Sequence, residues 1–225
     1  MKRYIKIRTA IPGPKAAKKL KQFKQLNGGW GVPYPFIQGK EGQGCYIQDI
    51  DRNSFLDFAS HVASTPLGYN HPAQIETLKQ YQGFAPIKIA GQDFPSEEHV
   101  NVLEELTKIM PNHMNTAFLT NSGAEAVENC MKVAMKKKKT GKIGISFEGA
   151  FHGRTLGALS ATNSKRVHKE HCLSFPMLRL PFDETAPEKL QELLNRECSA
   201  EDIAYLIVEP VQGEGGYRIP PPNML

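Results

Sequence analysis

The sequence predicts an α/β fold: a largely parallel sheet with helices on both faces, preceded by an N-terminal arm and a small β segment. Three observations carry that prediction. Four short apolar runs, Asn115 to Leu119, Ile143 to Phe147, Met177 to Leu180 and Ala204 to Glu209, are spaced through the second half of the chain. Segments of helical period lie between them, the alternation expected of parallel strands joined by covering helices. Three of the four runs lead into polar, glycine-bearing loops, and in such sheets ligands collect beyond the strand ends.

Taken in order, residues 1–40 carry ten Lys and Arg and no acid. They are punctuated by Pro12, Pro14, Gly28, Gly29, Pro33 and Pro35, and read as a solvated arm with one short helix from Pro14 to about Leu26. Residues 41–95 read as an N-terminal β segment and linker. Within them Cys45 to Ile50 and Ser54 to Phe58 form a hairpin across Asp51-Arg52-Asn53, Ala59 to Pro72 is a loop, and a helix runs from His71 to about Tyr81. Residues 96–225 form the first part of a larger domain. Ser96 caps a helix whose apolar face is Val100, Leu103, Leu106, Ile109 and Met110, and Ser122 opens another, buried through Ala124, Val127, Met131 and Ala134. A further helix covers Pro187 to about Asn195.

Composition bounds the function. Hydrophobic residues are 40% and charged residues 23% of the 225, the balance of a soluble globular chain long enough to bury a core. No apolar stretch approaches the ~20 residues of a membrane span, and no apolar signal opens the chain, so a cytoplasmic protein is expected, with no membrane partner. The net charge of +5 comes from the arm, because the rest holds 18 basic and 23 acidic residues. Nucleic-acid binding would rest on that arm alone and is not expected. Cys45, Cys130, Cys172 and Cys198 are too scattered for a zinc site, so no metal is expected. No G-x-x-x-x-G-K-[ST] occurs, and no G-x-G-x-x-G follows a strand.

The chemistry concentrates in three loops. Asn121-Ser122-Gly123-Ala124 opens a helix, where free N–H groups, a hydroxyl and the positive end of the dipole suit a phosphate; an ordinary helix cap is the alternative. In Gly149 to Thr155, Phe151 can stack on a planar ring or pack in the core, His152 can bond to that ring or to backbone, and Arg154 offers a guanidinium for a carboxylate. In Glu209 to Gly216, Glu209 ends the last strand and Glu214 can pair with an arginine, a structural ion pair being the alternative for both.

With Gly42 to Asp49, Phe55 to Phe58 and Leu67-Gly68-Tyr69-Asn70-His71-Pro72, these blocks resemble the class III (ω-amino acid) aminotransferases, a family of fold-type I pyridoxal-phosphate enzymes. The resemblance implies a PLP-transferase fold and pyridoxal 5′-phosphate as cofactor. It implies that Ser122, Gly123 and Ala124 form the phosphate cup, that Phe151 stacks on the pyridine ring with His152 beside it, and that Glu209 supports the ring. It assigns Arg154 to the substrate carboxylate, Glu214 to a switch between substrates, and Val62 to an apolar wall of the substrate pocket. Where the family often has Ser-Gly-Ile or Gly-Gly-Ile, this chain has Ser60-His61-Val62.

The implied activity is transfer of an amino group from an acetylornithine, ornithine, lysine or 4-aminobutyrate type of donor to a 2-oxo acid such as 2-oxoglutarate. A racemase or aminomutase of the same family is the alternative outcome. The complete protein is expected to be a homodimer. The family's Schiff-base lysine, its pyridinium aspartate and its late arginine are expected beyond Leu225, the last residue of the sequence. The sequence therefore reads as truncated, with no catalytic residue of its own, and the 225-residue chain alone is expected to be a catalytically incompetent fragment.

Overall fold

The computed structural model describes residues 5–29, 31–80 and 93–224, which fall into two compact units dividing between Phe94 and Pro95. Two sequence expectations touch positions outside the described residues: the helix end near Tyr81, and Leu225, the point past which the catalytic lysine is expected.

The N-terminal unit is built on a three-stranded antiparallel sheet: β1 (Gln38–Gln43), β2 (Tyr46–Asp49) and β3 (Ser54–Leu56), in that order. The hairpin of β2 and β3 stands where the sequence places it, while β1 begins inside the segment read as arm. The remainder of the arm is not a free extension. Lys6 pairs with Ser54 through both backbone groups, and the buried Asn53 side chain accepts from the N–H groups of Arg8 at 2.6 Å and Thr9 at 3.0 Å. Helix α1 (Pro14–Leu26) starts at Gly13, which has no side chain to cap it; Asp51 from the hairpin turn accepts from the N–H of Lys15 at 3.0 Å and Ala16 at 2.7 Å instead. The loop expected over Ala59 to Pro72 contains a single left-handed turn, α2 (Ser60–Ala63), followed by helix α3 (Pro72–Gln80).

The second unit holds the parallel sheet, with β4 (Ile143–Phe147) between β5 (Met177–Leu180) and β6 (Ile203–Leu206). Helices α4 (Glu97–Ile109), α5 (Gly123–Lys138), α6 (Leu156–Ala161) and α7 (Ala186–Arg196) follow the α/β alternation. Gly144 sits in the middle strand with Met177 and Tyr205 packed over it; a Cβ there would lie 2.6 Å from both Met177 Sδ and the Tyr205 ring, so those side chains would have to shift. The core joins Ile145 and Phe147 of β4 to Leu180, Phe182, Ala186, Leu193 and Met224, with the Phe147 and Phe182 rings edge to face at 5.8 Å.

Three expectations need correction. Residues 115–119 form no strand, since an apolar run becomes one only where a neighbour supplies the ladder. Strand β6 ends at Leu206, so Glu209 lies in the following loop rather than at the strand end. The apolar face of α4 is not buried: Val100 is 46% and Ile109 80% exposed, because periodicity announces a face without supplying its cover.

Candidate functional site

Helix α5 is capped by its own sequence. Ser122 is extended and its Oγ accepts from the Glu125 N–H at 3.2 Å, while Glu125 Oε2 reaches back to the Asn121 N–H at 2.7 Å. That reciprocal cap leaves the next two donors free. The N–H groups of Gly123 and Ala124 have no acceptor in the helix and make no hydrogen bond among the described residues. Beside Gly123 there is open space, with no heavy atom within 4 Å of where a Cβ would stand.

The loop after β4 comes directly against this turn. Gly153 has φ +129°, and a Cβ on it would lie 2.7 Å from the Ala124 Cβ and 3.0 Å from the Ala158 Cβ. The loop is held from behind by Thr162, fully buried, whose Oγ1 accepts from the His152 N–H at 3.0 Å and donates to the Gly153 carbonyl at 2.9 Å. Asn163 N–H adds a bond to the Ala150 carbonyl at 2.6 Å. Phe151 is half-buried, its ring edge to face with His168 at 6.0 Å.

The loop after β6 is tied to the loop after β4 by one carboxylate. Glu209 Oε2 accepts from the Phe151 N–H at 3.1 Å and Oε1 from the Gly213 N–H at 3.3 Å. A second tie runs from the fully buried Gln212, whose Nε2 donates to the Glu148 carbonyl at 2.7 Å. The loop that carries Phe151 and His152 thus lies against both the others, through Gly153 on Ala124 at the start of α5 and through Glu209 and Gln212 on the loop after β6.

Electrostatics separates His152 from Arg154, the two residues on either side of Gly153. His152 is buried, its Nε2 has no hydrogen-bond partner, and burial first, then the nearby Arg179 charge, lower its pKa to about 4. It is neutral at physiological pH. Arg179 is held by the end of α6, donating to the carbonyls of Ser160, Ala161 and Thr162. Arg154, by contrast, is exposed and makes no hydrogen bond or ion pair among the described residues. Glu214 pairs with Lys165 at 3.1 Å. Val62 belongs to the N-terminal unit, where it is 72% exposed beside an apolar cleft. Thr162, Lys165, Gln212 and Glu128 escaped sequence reasoning. Each acts through a contact with a residue at least nine positions away, which no local motif announces.

The aminotransferase class-III family profile matches residues 30–225. The chain belongs to the class III aminotransferases. It is 30% identical to mouse mitochondrial 4-aminobutyrate aminotransferase over 93% of this chain and 51% of that protein. It is 36% identical to acetylornithine aminotransferase of Methanopyrus kandleri over 82% of this chain and 45% of that one. Among solved structures, lysine aminotransferase from M. tuberculosis superposes with a TM-score of 0.71 at 25% identity, covering 91% of this chain and 55% of that one. The class III chain described here thus spans about half the length of the curated relatives it matches. Its architecture is that of the fold-type I transaminases, and pyridoxal 5′-phosphate is the cofactor of the family.

Proposed function

We propose that the complete protein is an aminotransferase moving an amino group from an ω-amino acid or diamine-type donor to a 2-oxo acid such as 2-oxoglutarate. One observation carries the reading: the Phe151 loop lies between the free N–H groups at the start of α5 and the Glu209 loop, packed against the first and hydrogen-bonded to the second, as a phosphorylated ring and its substrate would need. The residues fit such a group. Gly123 and Ala124 offer two unused N–H donors next to open space, and His152 keeps a buried nitrogen without a partner.

Within this reading Ser122, Gly123 and Ala124 hold the phosphate, and the Ser122 hydroxyl, now engaged as an acceptor in the cap, still has its proton to donate. Phe151 fixes the plane of the ring from one face. Glu209 acts through the backbone, holding the Phe151 N–H and with it the height of the aromatic ring. His152, neutral, adds a polar atom without adding charge. When bound, pyridoxal 5′-phosphate supplies an electron sink for the bond broken at the amino-donor carbon. Arg154 has an unengaged planar fork for a substrate carboxylate, Glu214 with Lys165 sets the charge on the opposite loop, and Val62 forms the apolar substrate wall. The catalytic lysine, in this reading, follows Leu225 in the complete protein. A homodimer is the assembly proposed for that protein, tested by light scattering.

Purified complete protein, supplied with pyridoxal 5′-phosphate and 2-oxoglutarate, is expected to form glutamate from at least one of 4-aminobutyrate, L-lysine, L-ornithine and N-acetyl-L-ornithine. Stereoinversion of an amino acid without consumption of the 2-oxo acid would overturn the proposal.

A further inference from the structure

Ser60, His61, Val62 and Ala63 have φ of +48°, +50°, +57° and +59°, so α2 winds left-handed through four residues that each carry a Cβ. The left-handed region costs a non-glycine residue about 1–2 kcal/mol, and β-branched residues are the least suited to it. A run of four persists only if something outside the turn holds it.

Thr65 ties Ser60 through hydroxyl and backbone bonds, and the Asp57 carboxylate holds the rest of the turn's start. Its Oδ1 accepts from the N–H groups of Ala59 at 2.7 Å and Ser60 at 3.0 Å, and its Oδ2 from the His61 N–H at 3.2 Å and the Tyr69 hydroxyl at 2.5 Å. Tyr69 is itself fixed: only 8% exposed, it exchanges both backbone hydrogen bonds with Gly44, at 2.8 and 3.1 Å. Its ring takes the His61 imidazole edge-on at 5.2 Å and 82°. Burial raises the Asp57 carboxyl, but the hydrogen bonds from Tyr69, Ala59, His61 and Ser60 outweigh it and bring its pKa below the ordinary value. Burial, then the bond to Asp57 and its charge, push the Tyr69 phenol up to about 12. Both groups therefore keep the protonation states the bond requires across the neutral range.

His61 and Val62 stand on the wall of an apolar cleft of about 770 Å³ that also takes in Tyr34, Phe36, Phe55 and Phe58. We infer that Asp57 and Tyr69 are positioning residues: by fixing the left-handed turn they set where His61 and Val62 stand on that wall, and so which amino-donor side chain the cleft admits. The inference rests on the reading of Val62 as the substrate wall. Chemically, the mostly apolar cleft is suited to the hydrocarbon stretch of a donor, with the polar groups of His61, Asp57, Ser64, Tyr34 and Tyr69 on its lining.

Two measurements test it, using Asp57→Asn, the milder Tyr69→Phe, and Val62→Ala in the complete protein. Hydrogen–deuterium exchange of peptides over 58–65 is expected to quicken at least tenfold in Asp57→Asn and threefold in Tyr69→Phe, and to stay within twofold in Val62→Ala. The ratio of kcat/KM for L-lysine over 4-aminobutyrate is expected to shift at least fivefold in Asp57→Asn and in Val62→Ala, through KM with kcat held within about twofold. Exchange left within threefold of the parent in Asp57→Asn overturns the clamp. Quickened exchange with an unmoved ratio, while Val62→Ala moves it, overturns the positioning role alone. An unmoved ratio in Val62→Ala sinks the substrate-wall reading and this inference with it. Should Asp57→Asn not fold, Tyr69→Phe decides by the same two readouts.

Discussion

Side chains here are held in states their intrinsic preferences oppose, and the opposition can be measured. Val62 is a β-branched residue at φ +57° whose side chain is mostly exposed, so it loses more from its backbone than it gains from its contacts. Val62→Gly is therefore expected to stabilise the N-terminal unit by about 1 kcal/mol, read from urea unfolding, against the usual penalty of introducing glycine. His152 is the second case. Its folded pKa near 4 lies below the ordinary value of 6.5, so the unfolded chain takes up the proton first. The stability gained by keeping it neutral is complete above about pH 6.5 and drains away as the pH falls toward 4. Between pH 7.5 and pH 5 the parent is expected to lose about 1 kcal/mol more than His152→Asn, after allowance for solvent screening. Phe151, His152 and Arg154 were legible as types in a loop. That His152 is neutral was not, because it follows from burial in the folded chain and from the charge of Arg179, which is distant in sequence.

Helix starts carry the recognisable chemistry at the scale of elements. At α5 the start at Ser122 was read from the sequence, and the structure adds Glu125 as its reciprocal partner within four residues. Its consequence, two spare N–H groups, can be tested without damaging the helix. Gly123 is the first helical residue, with open space beside it and an extended Ser122 before it, and proline is tolerated at that position. Gly123→Pro is expected to weaken binding of pyridoxal 5′-phosphate about tenfold while leaving pyridoxal, which lacks the phosphate, within twofold, as measured by calorimetry. Helix α6 is capped from elsewhere: Glu128 Oε1, on α5, accepts from the N–H groups of Gly157 at 2.8 Å and Ala158 at 3.2 Å. Glu128→Ala leaves both donors unpaired and is expected to cost about 1–3 kcal/mol in urea unfolding, and Glu128→Gln less because its amide oxygen still accepts. Elements defined by local periodicity, α1 and α7 among them, were read to within a residue or two. Strands β4 and β5 were read at their bounds from their apolar runs, but where the neighbour decides alone the reading failed: residues 115–119 lack a ladder, and β1 was hidden in a glycine- and charge-rich stretch that pairs only because β2 lies alongside.

The decisive event for the molecule as a whole is the meeting of loops that lie far apart in the chain. Glu209 joins two of them by accepting from Phe151 and Gly213 together, so losing it is expected to release both. In Glu209→Ala, hydrogen–deuterium exchange of peptides over 149–155 and 211–217 should quicken in parallel by at least fivefold; a change confined to one loop would show that the carboxylate is not the joint. Gly153, pressed on Ala124, explains why the second loop can approach the first at all.

By itself the sequence determined the α/β class, the alternation of parallel strands with helices, the serine caps of α4 and α5 and the family, because these rest on period, on partners within a few residues and on motifs kept in order. The tertiary structure decided the rest. It settled that Glu209 stands in a loop and binds backbone, that Glu214 faces Lys165, and that the Ser60–Ala63 turn is wound left-handed under the hold of Asp57 and Tyr69. The physical reason is the same in each case. Burial, pairing and strain are properties of what comes to lie next to a residue, and that neighbour is fixed only when the chain has closed on itself.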